Sequence, residues 1–394
     1  MGDATHVLPS LLRRHLFSGA AALAPALLSG CTAGTTHTPA RAGGNAAASR
    51  SDAVAVEGAR QAGVDRPVQP QPHLELAIFD VGGEVPDGNR AAARALLAAL
   101  GDRINALLAG SDPLLAGLPP GDLTVTVGAG PRLVRLAGER LPGTEELPPF
   151  ARESIAAADR GGDLMLQICA TDSQAVALAR MSLHNWLTAR SARARWSQNG
   201  FRPPAAAPGP VRNLLGFLDG VSVPHTPQEM SQEVWLPAPA AVRDATIAVV
   251  RRMRVDVPGF LALDVPRQEQ VIGRRRADGS PLSGGGPDAP VDLGAKSARG
   301  SYLVPAMAHV RRAHPAETGS GLMLRRGYSY ANSAQDQGLL FVSFQRELRT
   351  FTQTQRRLDD GDALMAFTTA TASATFLVLP GFSRQRPLGA ALFD

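Results

Sequence analysis

Apolar residues recur at alternate positions in some stretches of the chain and at three- and four-residue spacing in others. The run HLELAIFDV from His73 sets Leu74, Leu76 and Ile78 on one face, the period of a strand. From Asn89 to Gly110, Ala93, Leu96, Leu97, Leu100, Ile104 and Leu107 repeat as one stripe of a helix. The same reading predicts strands over Leu123–Val127 and Asp163–Ala170, a helix over Ser173–Arg190 and a strand over Arg193–Trp196. The rhythm then repeats: strand Thr246–Val255, helix Pro266–Ile272 after the Pro258-Gly259 break, strands Leu322–Tyr330 and Leu339–Phe344, helix Arg346–Leu358 and strand Ala374–Pro380. Helices alternating with antiparallel strands in two similar halves predict an α+β protein of duplicated ferredoxin-like domains, residues 71–220 and 221–394, with peripheral helices on antiparallel sheets.

The amino-terminal residues carry a different pattern. Arg13 and Arg14 precede Leu16 and Phe17, and the apolar run from Ala20 to Leu28 is too short to span a bilayer. Residues 1–30 are therefore expected to be a twin-arginine export signal, which places the protein outside the cytoplasm. Leu28-Ser29-Gly30-Cys31 has the form of a lipobox, so a lipid anchor at Cys31 is a candidate membrane attachment. Residues 31–70, rich in Ala, Gly, Thr, Ser and Pro, are expected to be a flexible tether. The second cysteine, Cys169, lies in an apolar run and is expected to be a packed core residue, so no disulfide is predicted.

Charge narrows the function classes. The 394 residues carry a formal charge of +5, and Lys296 is the only lysine, so the positive charge is almost all arginine. No basic run interleaved with aromatics would track a phosphate backbone, and nucleic-acid binding is not expected. The histidines lack zinc spacing, and Gly284-Gly285-Gly286 lacks the Lys-Ser/Thr of a P-loop.

Two strings bear chemistry. MAHVRRAHPAETGSGLMLRRGYSY, from Met307, holds two histidines, four arginines and two tyrosines in 24 residues. It reads either as a solvated basic face or as an anionic ligand held by arginines and bound by a histidine. His309 and His314 are five apart, on opposite sides of a strand, and are not expected to share a metal. In a strand, Arg325, Gly327 and Ser329 share one face and Arg326, Tyr328 and Tyr330 the other, so Arg325 is expected to face a flat ligand across the small residues. The second string, RNLLGFLDG from Arg212, flanks Asp219 with Gly216 and Gly220; alone it marks a turn-forming acid.

Together the strings resemble the dye-decolourising peroxidase family, most closely its twin-arginine-exported deferrochelatase/peroxidase branch, from about His73 to Asp394. GFLDG is similar to the family's GXXDG motif. The resemblance implies haem b between sheet and helices, with His309 as axial iron ligand, Asp219 as distal acid and Arg325 as distal arginine. It further implies that Arg274 in VIGR reaches a propionate, that Asp362 hydrogen-bonds the proximal imidazole, and that Gly220, Val221, Ser222, Arg311 and His314 border the cofactor. These residue types suit haem chemically, since an imidazole is a common axial donor, a carboxylate behind it raises its basicity, and arginine forks match propionates.

The implied activity is a haem-dependent peroxidase that reduces hydrogen peroxide and oxidises dyes or other external donors through a ferryl intermediate. The alternative is a haem-handling or ferrous-iron-oxidising component of an iron-uptake system, with other iron-uptake proteins as partners. Two departures bear on this choice. GFLDG continues as Val221-Ser222-Val223-Pro224 where the family has Thr, a variable residue, Asn and Pro, and His314-Pro315-Ala316 stands where Asn-Pro-Arg is usual. Both remove polar groups that would brace the haem edge. Bulky donors cannot enter a buried pocket, leaving Trp186, Trp196, Trp235, Tyr302, Tyr328 and Tyr330 as candidate electron routes.

Overall fold

Period-2 alternation builds the central sheet of the computed structural model, which describes residues 53–55, 58–204 and 209–394. The expected export signal, Cys31 and the first part of the tether lie outside the described residues. In the first half, strand β1 (His73–Asp80) is followed by helix α1 (Arg90–Leu108), strand β2 (Thr124–Ala129), helix α2 (Pro131–Ala137), strand β3 (Leu164–Ala170), helix α3 (Ser173–Thr188) and strand β4 (Arg193–Phe201). The long helices start where the sequence supplies caps: the Asn89 side chain accepts from the Ala92 amide and Asp172 from that of Gln174.

A short hairpin, β5 (Val211–Arg212) and β6 (Leu218–Asp219), and helix α4 (Pro227–Glu233) lead into the second half. There, β7 (Thr246–Val255) is followed by four short helices: α5 (Val257–Leu261), α6 (Val265–Ile272), α7 (His309–Arg312) and α8 (Pro315–Thr318). Next come β8 (Leu324–Arg325), β9 (Tyr328–Ala331), β10 (Gln337–Gln345), α9 (Leu348–Asp359), β11 (Thr368–Val378) and α10 (Ala390–Phe393).

The strands join into one sheet of order β7-β11-β2-β3-β1-β4-β9-β10, and pairing of β10 with β7 closes it into a barrel. Each half contributes the ferredoxin-like order, β2-β3-β1-β4 and β9-β10-β7-β11. The halves meet where Leu377 and Val378 pair with Ala129 and Gly128, and where Phe201 pairs with Ser329. Alternate side chains, among them Leu74, Leu76, Ile78, Val250, Leu340, Val342 and Phe376, fill the interior. Each such aliphatic or aromatic side chain removed from water stabilises the fold by about 1.5–3 kcal/mol. Cys169 packs in this interior as expected, and burial pushes its thiol up to about 12.

Three expectations need correction. Residues 58–70 do not belong to a tether: Gln61 is buried, donating to the carbonyls of Val127 and Leu379 and accepting from the Val127 amide, and Val64 is fully buried. The strand expected over Leu322–Tyr330 is broken at Arg326 and Gly327 into β8 and β9. The last strand begins at Thr368, not Ala374, and ends at Val378; its first residues were missed because Thr, Ala and Ser alternate there too weakly in hydropathy to read as a strand.

Candidate functional site

Strand parity in the second half creates the site. While Val250, Leu340, Val342 and Tyr328 point into the barrel, the intervening residues point outward: Arg251, Met253 and Val255 of β7, Leu339 and Phe341 of β10, and Arg325, Gly327 and Ser329. They form the floor of a cavity of about 280 Å³ covered by α9, the end of α6, and α7. Gly327 keeps that floor low, for a Cβ there would meet Leu339 Cδ1 at 3.1 Å and approach Asp219 Oδ2 to 3.8 Å.

His309 opens the single turn of α7 and reaches the cavity. Close approach of α6 holds this turn in place: Gly273 has φ of +95°, and a Cβ on it would strike Val310 Cγ2 at 2.3 Å. Behind the imidazole, Nδ1 lies 2.6 Å from Oδ2 of the buried Asp362, whose Oδ1 accepts from the Leu364 amide at 2.9 Å. Nδ1 donates to this carboxylate, so in the neutral ring the lone pair sits on Nε2, the nitrogen left to the cavity. Burial depresses the imidazole's basicity, but the charge and hydrogen bond of Asp362 outweigh it and leave its pKa raised. The side chain remains 35% exposed, as its place on the cavity wall requires.

Asp219 stands at the end of β6, in a loop whose glycines Gly216 and Gly220 have φ of +82° and +93°, the conformation a side chain would strain. Asn213 Oδ1 accepts from the Leu215 and Phe217 amides, and Arg212 clamps the loop to the carbonyls of Gly216, Arg276 and Ala277. Asp219 Oδ1 accepts from its neighbour Gly220 at 2.7 Å. The sequence alone made the following Val221-Ser222-Val223-Pro224 segment look unbraced. It is held instead by Arg325, which donates to the Ser222 carbonyl at 2.8 Å, and by His225, whose Nε2 lies 3.1 Å from the Val221 carbonyl. Gly220, Val221 and Ser222 all line the cavity.

Arg274 also lines it, donating to the carbonyls of Gly279 and Pro287. Burial first, and then the neighbouring charge of Arg325, hold its pKa down. Two guanidinium groups converging on one cavity are a receptor for an anion. His314 lines the rim, its Nδ1 accepting from the Ala316 amide, and burial holds its pKa low. Arg311 departs from expectation: it does not line the cavity, because its guanidinium turns to the carbonyls of Val304 and Leu293 and toward Glu317. Arg326 faces away, as strand parity requires, and donates to the carbonyls of Val64 and Pro67.

One charged cavity residue escaped the sequence reading. Arg251 is 1% exposed, paired with Glu153, hydrogen-bonded to Gln355 and flanked by the rings of Phe150 and Phe351. Its signal was present in VVRRMRV, where Arg251 follows the apolar run Ile247–Val250 and shares parity with Met253 and Val255. Among the described residues no three His, Cys, Asp or Glu side chains cluster to hold a metal ion.

An apolar slot with one free imidazole nitrogen, a carboxylate behind that imidazole, and arginines in its lining fits the donor set that haem requires. The comparisons with known proteins agree. Residues 61–202 match the family model for the Dyp-type peroxidase N-terminal part and residues 210–383 that for the C-terminal part. The chain belongs to the Dyp-type peroxidase family, and so is a haem peroxidase, an oxidoreductase acting on peroxide, with haem b as cofactor. It is 35% identical to a dye-decolorizing peroxidase of Thermobifida fusca, over 88% of this chain and 86% of the relative. Identity to a deferrochelatase of Escherichia coli K12 is 33%, over 67% of each. Among solved structures, an oxyferrous complex of DtpA from Streptomyces lividans aligns with a TM-score of 0.80 at 33% identity, over 88% of this chain and 98% of that one. A DyP-type peroxidase from Cellulomonas bogoriensis aligns with a TM-score of 0.78 at 33% identity, over 88% and 99%.

Proposed function

We propose that His309 is the axial iron ligand, that Asp219 and Arg325 carry the peroxide chemistry, and that Arg274 binds a haem propionate. The observation that carries this reading is the His309–Asp362 pair at 2.6 Å, which leaves Nε2 to the cavity that Asp219 and Arg325 also line. Haem, when bound, supplies the iron at which the oxygen–oxygen bond of hydrogen peroxide is cleaved and the oxidising equivalents are kept. Asp219, with Oδ1 engaged by its own loop, has Oδ2 to take a proton from peroxide and return it to the departing oxygen. Arg325 keeps its charge at every relevant pH and stabilises the negative charge that develops there. Its second duty, holding the Ser222 carbonyl, fixes the loop that aims Asp219. His309→Ala is expected to lose most haem on purification and His314→Ala to retain it; equal haem in the two variants would remove the ligand assignment.

For donors too large for the cavity, the reading singles out Tyr302. It is 49% exposed, whereas Trp196, Trp235, Tyr328 and Tyr330 are buried and Trp186 is half-buried beneath Arg190. Arg311 and Lys296 flank its ring at 4.7 and 4.9 Å, a setting suited to anionic aromatic donors. Tyr302→Phe should slow turnover of a sulfonated dye and spare that of a small phenol. The iron-uptake reading drew on an unbraced loop, and the contacts from Arg325 and His225 weaken that argument. Export by the twin-arginine route and anchoring at Cys31 complete the proposal. Replacing Arg13 and Arg14 with lysine should retain the protein in the cytoplasm, and Cys31→Ala should release it from membranes.

A further inference from the structure

Met307 lies two residues before His309 and is 46% exposed; Met181 on α3, at 36%, is the other exposed methionine among the described residues. The Met307 side chain lies across Gly361. A Cβ at Gly361 would sit 2.8 Å from the methionine Cε and 3.2 Å from Sδ, and with φ at +154° the position favours glycine in any case. The sulfur accepts from Arg312 Nη2 at 3.3 Å. On the far side of the next residue, the Met307 carbonyl accepts from the Ala363 amide at 2.8 Å. Met307 therefore brackets Asp362, with its thioether on the residue before and its carbonyl on the residue after. Asp362 in turn holds His309 Nδ1.

We propose that Met307 is an oxidation site for the enzyme's own peroxide, and that its sulfoxide loosens the Gly361–Ala363 segment and weakens the bond from Asp362 to His309. The second half of this inference rests on His309 as the axial ligand; the first does not. In the reaction a sulfur lone pair attacks one oxygen of hydrogen peroxide, the sulfur–oxygen bond forms and the oxygen–oxygen bond breaks. The departing hydroxide takes the proton left on the transferred oxygen and leaves as water. Sulfur is oxidised by two electrons and peroxide is reduced by two, with no other reactant. The product is polar and a stronger acceptor than a thioether. It draws Arg312 toward itself and no longer fits the apolar contact that the missing side chain of Gly361 permits. Met181 oxidises by the same chemistry but touches nothing in the site, and so serves as the internal control.

The test exposes holoenzyme and haem-free protein to excess hydrogen peroxide, followed by peptide mass mapping, the ferric/ferrous midpoint potential of the holoenzyme, and treatment with methionine sulfoxide reductases. The Met307 and Met181 peptides should each gain one oxygen in both preparations. The holoenzyme potential should rise, because a less basic imidazole stabilises ferric iron less, and the reductases should restore it. Met307→Leu should abolish the shift and Met181→Leu should leave it. A Met307 peptide left unmodified where Met181 is oxidised would overturn the oxidation site. The same shift in Met307→Leu, or none in wild type with Met307 fully oxidised, would overturn the coupling to Asp362. Failure of the axial assignment would appear separately, as unchanged haem content in His309→Ala. Reductase reversal on wild-type protein keeps the coupling testable should the leucine variant fail to fold.

Discussion

In the first half of the barrel, the chain crosses from β1 to β2 through a helix of 19 residues that lays Leu96, Leu97, Leu100 and Ile104 onto the outer face of the sheet. In the second half, the corresponding crossover from β7 to β8 occupies residues 256–323 and contains only the short helices α5 to α8. The strand order is the same, but the consequences differ. Leucines and valines fill the space between sheet and helix in one half. In the other, no long apolar helix is supplied, and the space becomes a cavity walled by Arg251, Met253, Leu339 and Phe341 and entered by His309. Even α9, which matches α3 in position, turns Thr354 and Gln355 toward it where α3 offers Ala175, Ala179 and Leu183. A duplicated fold thus keeps one half for stability and opens the other for a cofactor, through what replaces a single crossover helix.

The comparison is sharpest where a side chain is removed from each half. Leu100→Ala should destabilise the protein by about 2–5 kcal/mol, the range for a cavity cut into a close-packed core, with haem stoichiometry unchanged in the folded fraction. Leu358→Ala, on the cavity wall, should cost the haem-free protein clearly less, since the side chain already borders open space. Denaturant titration of both variants checks this, and equal losses would mean that the cavity contributes as much packing as the core.

Arg325→Leu should slow the reaction with peroxide by about 10²–10³, the loss found on removing one transition-state donor. It removes the charge and also the hold on Ser222, so it should exceed the loss in Asp219→Asn. Arg326→Leu should leave that rate nearly unchanged but destabilise the fold by about 1–3 kcal/mol, because the Val64 and Pro67 carbonyls lose their buried donor. Stopped-flow mixing with peroxide, together with thermal melts, separates the two arginines.

Filling the second half should make it resemble the first. Gly327→Val places methyl groups against Leu339 and toward Asp219, and overpacking of about 1–3 kcal/mol falls on the bound cofactor, not on the barrel. Haem affinity should drop by about 5- to 150-fold while the haem-free melting temperature holds. Unaltered haem binding would show that the cofactor does not approach this strand.

Much of this asymmetry was legible in the sequence, for identifiable reasons. β7 was read at its true bounds because the apolar run Ile247–Val250 carries on through Met253 to Val255 before the Pro258-Gly259 break, and the facing of Arg325 against Arg326 followed from the two-residue period of a strand. The partnership of His309 with Asp362 came from the resemblance alone, since a contact across the intervening residues leaves no local pattern. Arg311 could not have been read correctly. Its guanidinium chooses between a ligand and the carbonyls of Leu293 and Val304, and that choice depends on a crossover without periodicity. The bracing of the Val221–Pro224 loop was invisible for the same reason, being made by the side chain of Arg325 and by the His225 ring, which reaches back from beyond the loop.

The smallest expected effect concerns the acids that each half buries. Asp362, in the second half, faces an imidazole that compensates its charge. Glu75, on β1, shares the outward face of Ala77 and Phe79 in the packed half and is 2% exposed, and its Oε2 has no hydrogen-bond partner. Burial raises its pKa, against the hydrogen bond from Ser197 and the more distant charge of Arg180. For a carboxyl group raised in this way, the folded state binds the proton more tightly than the unfolded state. The stability linked to it is therefore complete below about pH 4.3, the unfolded value, and is lost as pH rises through the folded pKa. At neutral pH the raised pKa costs the wild-type protein stability, so Glu75→Gln should melt slightly higher there, with the difference closing as pH falls toward 4. Melting curves from pH 4 to 8 decide it. A glutamine variant less stable at every pH would mean that the carboxylate holds a partner in the packed half after all, and that both halves of the barrel compensate their buried acids alike.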